Sequence, residues 1–223
     1  MGIPGRHPAP QAGDLAAARE EYTRGGLAEA DLLPDPVAMF ARWYDEAGDA
    51  GIHEPNAMVV ATSSGDGVPS ARFVLLKGFS DDGFVFFTNT RSRKGEDLAA
   101  NPACALLFPW HPIERQVRVD GTASRLPQDA VDAYFAVRPR GSQLGAWASH
   151  QSRVVAGRDE LDREYAAAAS RYADGEVPTP EEWGGYLVRP EDVEFWQGRP
   201  GRMHDRLVYR RAEDGWRTER LAP

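Results

Sequence analysis

The sequence predicts a single α+β domain: an antiparallel sheet closed as a barrel, with helices on its outside. Three observations predict it. Short runs rich in β-branched and aromatic residues recur from Asn56 to the C-terminus, separated by hairpin-type turns. Apolar residues at helical spacing interrupt those runs in a few places. A chain of 223 residues, 42% apolar and 27% charged, is long enough to bury one substantial core. Residues 1–13 read as a disordered lead-in rich in Pro, Gly and Ala, and residues 14–223 as the domain.

The elements follow in order. From Asp14 to Arg24 the run LAAAREEYTR has helical character and is stopped by Gly25-Gly26. Asp35-Pro36 opens a second helix, with Asp35 as N-cap and Pro36 in its first position. Val37, Phe40, Ala41 and Tyr44 form its apolar face. Asn56 to Ser63 is a strand and SSGDG a turn. Val68–Phe79 and Gly83–Asn89 pair as a hairpin. Ser92 caps a short helix that Asn101-Pro102 ends. Ala103–Trp110 and Glu114–Ser124 are strands, the second with Gln116, Arg118 and Asp120 on one face and Val117 and Val119 on the other. Pro127–Arg138 and Asp159–Ala173 are helices, with Ser142 in the loop after the first. The last part holds four short strands: GGYLVRP, DVEFWQG, RMHDRLVYRR and GWRTERL.

Composition narrows the function classes. A net charge of −8 argues against a general nucleic-acid or anionic-membrane binder, since both need a broad basic face. No apolar run approaches the roughly 18–20 residues of a transmembrane helix, and the first residues lack a signal-peptide core. The single Cys104, set in an apolar run, excludes an intrachain disulfide and a multi-Cys metal site. The five histidines show no metal-ligand spacing. These features describe a cytoplasmic, enzyme-sized domain without phosphate-loop, dinucleotide, nucleophile-elbow or zinc-protease motifs.

Within this acidic chain, five cations gather around one hairpin: Arg72, Lys77, Arg91, Arg93 and Lys94. Arg93 and Lys94 stand at a helix start, where unpaired N–H groups already favour an anion. A phosphate is the first candidate. Arg72 and Lys77 are five apart, hence on opposite faces of a regular strand, so either a bulge intervenes or they serve two ligands. A second cluster, Tyr134, Arg138 and Ser142, offers another phosphate cradle; Tyr134 and Arg138 share a helix face. On residues alone it is also an amphipathic helix with a polar end. A third, Arg202-Met203-His204-Asp205-Arg206, would put Arg202, His204 and Arg206 on one face of a strand. Two arginines flanking a histidine repel unless an anion lies between them, and they hold His204 neutral. An exposed edge strand is the alternative.

The stretches RFVLLKGF, FVFFTNTRSRKGEDLAANP, LLFPWHPIERQV, YFAVRPRGSQLGAWASHQS, EVPTPEEWGGY, EFWQG and RMHDRLVYRR closely resemble the pyridoxamine 5′-phosphate oxidase family. The likeness runs in order from about Arg19 to Pro223. It implies a homodimeric, FMN-binding split β-barrel with two FMN molecules in clefts between the subunits. The FMN phosphate would be held by Arg72, Arg93 and Lys94, with Gln151 and Ser152 reaching in from the partner. Ring and ribityl contacts would come from Phe73, Val74, Leu75, Leu76, Lys77, Phe87 and Thr88, and from Gln116, Trp196 and Arg206. Lys77, Tyr134, Arg138 and Ser142 would hold the substrate phosphate, and Arg202 and His204, the catalytic pair, would flank the pyridine ring. The implied reaction oxidises pyridoxine or pyridoxamine 5′-phosphate to pyridoxal 5′-phosphate, with O2 as acceptor giving H2O2, and NH3 from the amine.

Phe87 stands where the family pattern often has Tyr, Gly141 where a polar residue is more usual, and Arg153 where a second Ser is common. Arg19 and Tyr22 match a segment that in the family can close over substrate. A related flavin oxidase of another aromatic substrate, such as one in phenazine biosynthesis, would have no use for the second phosphate cradle. A binding protein without turnover would use the same residues.

Overall fold

A computed structural model describes residues 20–223. The expected lead-in, Arg19 and most of the first expected helix lie outside the described residues. Residues 20–24, which the sequence assigns to the end of that helix, have no regular structure. Five helices and nine strands follow: α1 (Pro36–Asp49), β1 (Ala57–Ser63), β2 (Pro69–Leu75), β3 (Gly78–Ser80), β4 (Gly83–Asn89), α2 (Arg93–Ala100), β5 (Ala103–Phe108), β6 (Arg115–Arg125), α3 (Gln128–Ala136), α4 (Arg140–Ala148), α5 (Arg158–Arg171), β7 (Trp183–Gln197), β8 (Asp205–Ala212) and β9 (Gly215–Arg220).

All strand pairs are antiparallel, in the order β2-β1-β5-β6-β7-β4-β3, with β8 and β9 added beyond the second half of β7. The two end strands of that path, β2 and β3, are consecutive in sequence. Only Leu76 and Lys77 join them. The Leu76 N–H donates to Asn56 O (2.9 Å), on the β1 side, while the next N–H, of Lys77, donates to Val85 O (2.8 Å) in β4. A two-residue link between opposite ends of one sheet forces the sheet to curl back on itself, which closes it as a split barrel. The expected hairpin between Val68–Phe79 and Gly83–Asn89 is therefore corrected. Its first strand breaks at Leu76-Lys77, β2 pairs with β1, and only the short β3 pairs with β4.

The barrel interior is a single aromatic-rich core. Phe40 on α1 is fully buried, with ring centroids of Phe108 at 4.7 Å and of Phe79 and Phe84 at 5.0 Å. Helix α1 begins as its sequence predicts: the Asp35 carboxylate accepts from the N–H groups of Val37 (2.7 Å) and Ala38 (3.0 Å). Its buried face centres on Met39, Phe40 and Trp43, rotated from the expected Val37–Phe40–Ala41–Tyr44 stripe. In β6 the alternation holds, with Val117 and Val119 fully buried. A smaller satellite core, including Phe135, Leu144 and Ala168, joins α3, α4 and α5 outside the barrel.

Two further expectations change. GGYLVRP and DVEFWQG are not two strands but one, the 15-residue β7, because the irregularity opposite Asp120-Gly121 accommodates Pro190 without ending the pairing. Ser142 lies not in a loop but in the first turn of α4. Helix α3 ends at Ala136, and Pro139 stands at the N-cap of the new helix, its C=O accepting from the Ser142 N–H at 2.8 Å.

Candidate active site

The predicted site residues fall into two groups at opposite ends of β7. The first lines a cleft of about 570 Å³ between β2, β4, the start of α2 and the α3–α4 junction. Lys94 lies deep in it, only 6% exposed. Gly95 makes this helix start possible, since a Cβ there would lie 2.3 Å from the Thr90 carbonyl oxygen. The Lys94 ammonium donates to Gln151 Oε1 (2.9 Å), Thr88 Oγ1 (3.0 Å) and Ser92 Oγ (3.3 Å), all neutral oxygens. Ser92 precedes the helix as expected, but its hydroxyl turns back to Asn89 O (2.6 Å) and leaves the helix N–H groups uncapped.

Burial, and then the Arg72 charge, draw the Lys94 ammonium from its ordinary 10.5 down to about 8. Arg72 is also pulled down, first by burial, with the Asp97 carboxylate opposing and the Arg93 cation adding to the effect. Arg72 thus sits between two like charges, Arg93 and Lys94, an arrangement that an anion would relieve. The resemblance implies that Gln151 reaches this cradle from a second chain; here Gln151 of the same chain already does so. Its neighbour Ser152 has left-handed backbone (φ +72°) and, among the described residues, no hydrogen bond to the cluster.

On the other side of the cleft, Arg138 lies over the Trp183 ring, 4.1 Å from its centroid. Arg138 Nη1 and Trp183 Nε1 are buried with no hydrogen-bond partner. Burial pulls the Arg138 pKa down while the nearby Tyr134 raises it. Tyr134 stacks on Phe87 at 3.9 Å and 16°, and Lys77 and Ser142 line the same cleft. The strand β2 forms the wall between. It is an end of the sheet path, so one of its edges carries unpaired backbone groups, and Phe73 is 68% exposed on it beside Val74 and Leu75. Leu76 points into the barrel core instead, which leaves only its backbone for a ligand.

The second group lies toward the far end of β7. Gln116, Trp196 and Arg206 stand in one cross-strand row of β6, β7 and β8. Arg206 grips the buried Glu194 with two hydrogen bonds (2.7 and 3.0 Å), which raises its pKa. Arg202 and His204 are not on a strand. Pro200–Arg202 is a tight 3-10 turn, β8 starts only at Asp205, and Arg202 has φ +62°. The expected one-face alternation of Arg202, His204 and Arg206 is thus replaced by a turn that presents the first two beside Trp196, whose ring lies 4.6 Å from that of His204. The Arg199 N–H donates to His204 Nδ1 (3.1 Å), so the neutral imidazole carries its proton on Nε2. Burial and then Arg202 lower its pKa. Tyr22 closes over this pocket, edge-on to Trp196 (5.8 Å) and His204 (5.6 Å), and packs against Gly198, where a Cβ would strike its ring at 2.7 Å.

Trp183, Glu194, Thr62 and Asp97 touch these groups and carry no motif. Each is visible only once strand register and helix packing bring it behind a predicted residue. Along β7, Trp183 and Trp196 are 13 residues apart, roughly 40 Å of extended strand. The two groups of a single chain are therefore well separated along the strand.

A family model described as pyridoxamine 5′-phosphate oxidase matches residues 44–172, and one described as the pyridoxine 5′-phosphate oxidase C-terminal dimerisation region matches residues 183–223. The chain is 70% identical to a pyridoxine/pyridoxamine 5′-phosphate oxidase of a Nocardioides species, over 94% of this chain and 98% of that one. It is 59% identical to the enzyme of the same name from Rubrobacter xylanophilus, over 94% and 97%. Among solved structures, PhzG from Burkholderia lata, in complex with tetrahydrophenazine-1-carboxylic acid, superposes with a TM-score of 0.82 at 30% identity, covering 88% of this chain and 98% of that one. An FMN-binding protein from Nostoc punctiforme shares the fold, with a TM-score of 0.67 at 18% identity and coverage of 86% and 99%. Two family models that together span both groups of residues, and high identity along nearly the whole length, agree: the chain belongs to the pyridoxamine 5′-phosphate oxidase family.

Proposed function

We propose that the chain oxidises pyridoxine 5′-phosphate or pyridoxamine 5′-phosphate to pyridoxal 5′-phosphate, using FMN, with O2 as the final acceptor giving H2O2 and with NH3 released from the amine. One observation supports the reading: two separate groups of cationic and hydroxyl side chains stand at the cleft, Lys94 with Arg72 and Arg93 behind it, and Lys77 with Tyr134, Arg138 and Ser142. A phosphorylated cofactor and a phosphorylated substrate need one each. The fit to FMN rests on the first cluster, because a buried ammonium bonded only to neutral oxygens is matched by a dianionic phosphate. It rests also on β2, whose free edge and exposed Phe73 suit a flat ring with polar rims.

When bound, FMN would supply the two-electron acceptor and its reoxidation by dioxygen. The chain's own task is placement. Arg72, Arg93 and Lys94 hold the cofactor phosphate, with Gln151 fixing Lys94 and Ser152 beside it. The backbone from Phe73 to Leu76, with Phe87 and Thr88, supports the ring system. Tyr134, Arg138, Ser142 and Lys77 hold the substrate phosphate, which fixes the reacting carbon without any protein nucleophile. Arg202 and His204 flank the pyridine ring, where neutral His204 donates from Nε2. The span of β7 separates Gln116, Trp196, Arg202, His204 and Arg206 from the cradles of their own chain. A second copy would supply them, which supports a homodimer with FMN between the subunits. No helix among the described residues is long and apolar enough to cross a membrane.

The likeness to PhzG raises a second reading, oxidation of an unphosphorylated aromatic compound. One experiment separates the two. The purified protein should be yellow, and should release H2O2 with pyridoxine 5′-phosphate far faster than with pyridoxine. Equal rates with both would remove the substrate-phosphate cradle.

A further inference from the structure

Behind the cationic cradle lies a carboxylate that a ligand in the cleft would not touch. Asp97, on the second turn of α2, is 5% exposed, and Thr62 on β1 is 3% exposed. The Thr62 hydroxyl donates to Asp97 Oδ2 (2.6 Å), and Thr62 Oγ1 in turn accepts from Arg72 Nη1 (2.7 Å). Arg72 Nη2 stands 3.9 Å from Asp97 Oδ2 and also donates to Ser70 Oγ. A hydroxyl has one proton and two lone pairs, so once Asp97 takes the proton, Thr62 can only accept from Arg72. The chain of bonds from Arg72 through Thr62 to Asp97 thus has a fixed direction. It has a charge consequence too. Arg72, Arg93 and Lys94 sum to three positive charges, and Asp97 reduces the cluster to a net two, the charge of a phosphomonoester dianion.

Building on the reading of this cluster as the FMN phosphate site, we infer that Asp97 is a positioning residue: through Thr62 it aims the Arg72 guanidinium at the cofactor phosphate and balances the cradle to a dianion. Three cations without that carboxylate would spread apart in the free protein, and Arg72 would lose the orientation that its bonds to Thr62 impose. Opposition by Asp97 to the burial-driven lowering of Arg72 is the electrostatic sign of the same contact.

The test compares FMN with riboflavin, which has the same ring system but no phosphate, by fluorescence titration of stripped protein. Wild type should bind FMN more tightly. Asp97→Asn should weaken FMN by roughly tenfold, in line with loss of an interaction to a charged group, and leave riboflavin unchanged. Thr62→Val, which keeps the carboxylate and the side-chain shape, should show the same selective loss. It also keeps the inference testable if Asp97→Asn folds poorly, as thermal melting would reveal. Equal weakening of both ligands would reduce Asp97 to a structural member of α2 and overturn the inference. Tighter FMN binding in Asp97→Asn would overturn it as well, because the carboxylate would then only repel the phosphate. If wild type itself fails to distinguish FMN from riboflavin, the cofactor-phosphate reading falls and takes the inference with it.

Discussion

Lys94 offers the sharpest quantitative prediction, because its charge state and its ligand are linked. In the free cradle its ammonium titrates at about 8 instead of 10.5, owing to burial and to Arg72. A dianion bound in the cradle restores a full counter-charge and moves the value back toward the ordinary one. The ligand then binds the protonated form better, so affinity is complete below the free-state value and is lost as pH rises through it. At about pH 7.5 roughly three quarters of free cradles carry the charge, and at about pH 9.5 roughly one in thirty does. FMN should therefore bind roughly 25-fold more weakly at the higher pH. Riboflavin, titrated in parallel, cancels any ionisation of the ring. The stability of the flavin-free protein should move the other way. A lysine whose folded value lies below its unfolded value leaves the unfolded chain with more protons between about 8 and 10.5, so stability rises with pH across that window. Lys94→Gln should lose both trends and weaken FMN by about 1.5–3 kcal/mol, the range for a hydrogen bond to a charged group. An FMN affinity that stays flat from pH 7.5 to 9.5 would refute the placement of Lys94 against the phosphate.

Four other outcomes follow from the geometry. Arg202→Ala should lower turnover far more than it lowers flavin content, read by steady-state peroxide release and the flavin absorbance ratio; loss of flavin would show Arg202 on the wrong ligand. Trp183→Leu removes the face on which Arg138 rests, 4.1 Å away, and should raise KM for the phosphorylated substrate roughly 3- to 30-fold with little change in FMN content, from a cation–π contact of about 0.5–2 kcal/mol. An unchanged KM would make that stack incidental. The Cys104 thiol, pushed up to about 12 by burial and then by Asp120, should resist alkylation near pH 8 until the protein unfolds. Phe40→Ala, at the centre of a ring of aromatic neighbours and fully buried, should cost about 3–5 kcal/mol in denaturant unfolding.

What could be read from the sequence was what local pattern encodes. The α1 cap is written in Asp35-Pro36 and the β6 alternation in Val117 and Val119, and both appear as expected. The cation cluster was legible because Arg93 and Lys94 are adjacent at a helix start and Arg72 is the odd charge in an apolar run. What stayed hidden depends on pairing between distant segments. Nothing around Leu76 marks the residue at which the chain leaves β1 and joins β4, the step that lies between Arg72 and Lys77. Pro190 reads as a strand end, although a partner with an irregular register tolerates it. Arg202 to His204 read as strand because period-2 charge spacing in RMHDR mimics one; the turn at Pro200–Arg202, with Gly201 at positive φ, decides otherwise. Asp97 and Thr62 are 35 residues apart, and only the packing of α2 on β1 makes them partners.

The two-residue link at Leu76-Lys77 also bears on how the chain reaches its native state. Pairs such as β5–β6 and β8–β9 join neighbours in sequence and can form early. Strand β4 must wait for β7, with Phe84 opposite Val188, about a hundred residues later. Until that pairing forms, the run Phe84-Val85-Phe86-Phe87 presents an unpaired, uncharged, strongly β-forming edge, the kind of segment through which chains aggregate. Latching the barrel is thus a late, long-range event. A newly made chain is exposed to misassembly for as long as it takes to synthesise and dock β7. Damage to the β4–β7 seam should therefore lower soluble yield before it lowers the activity of the molecules that do fold.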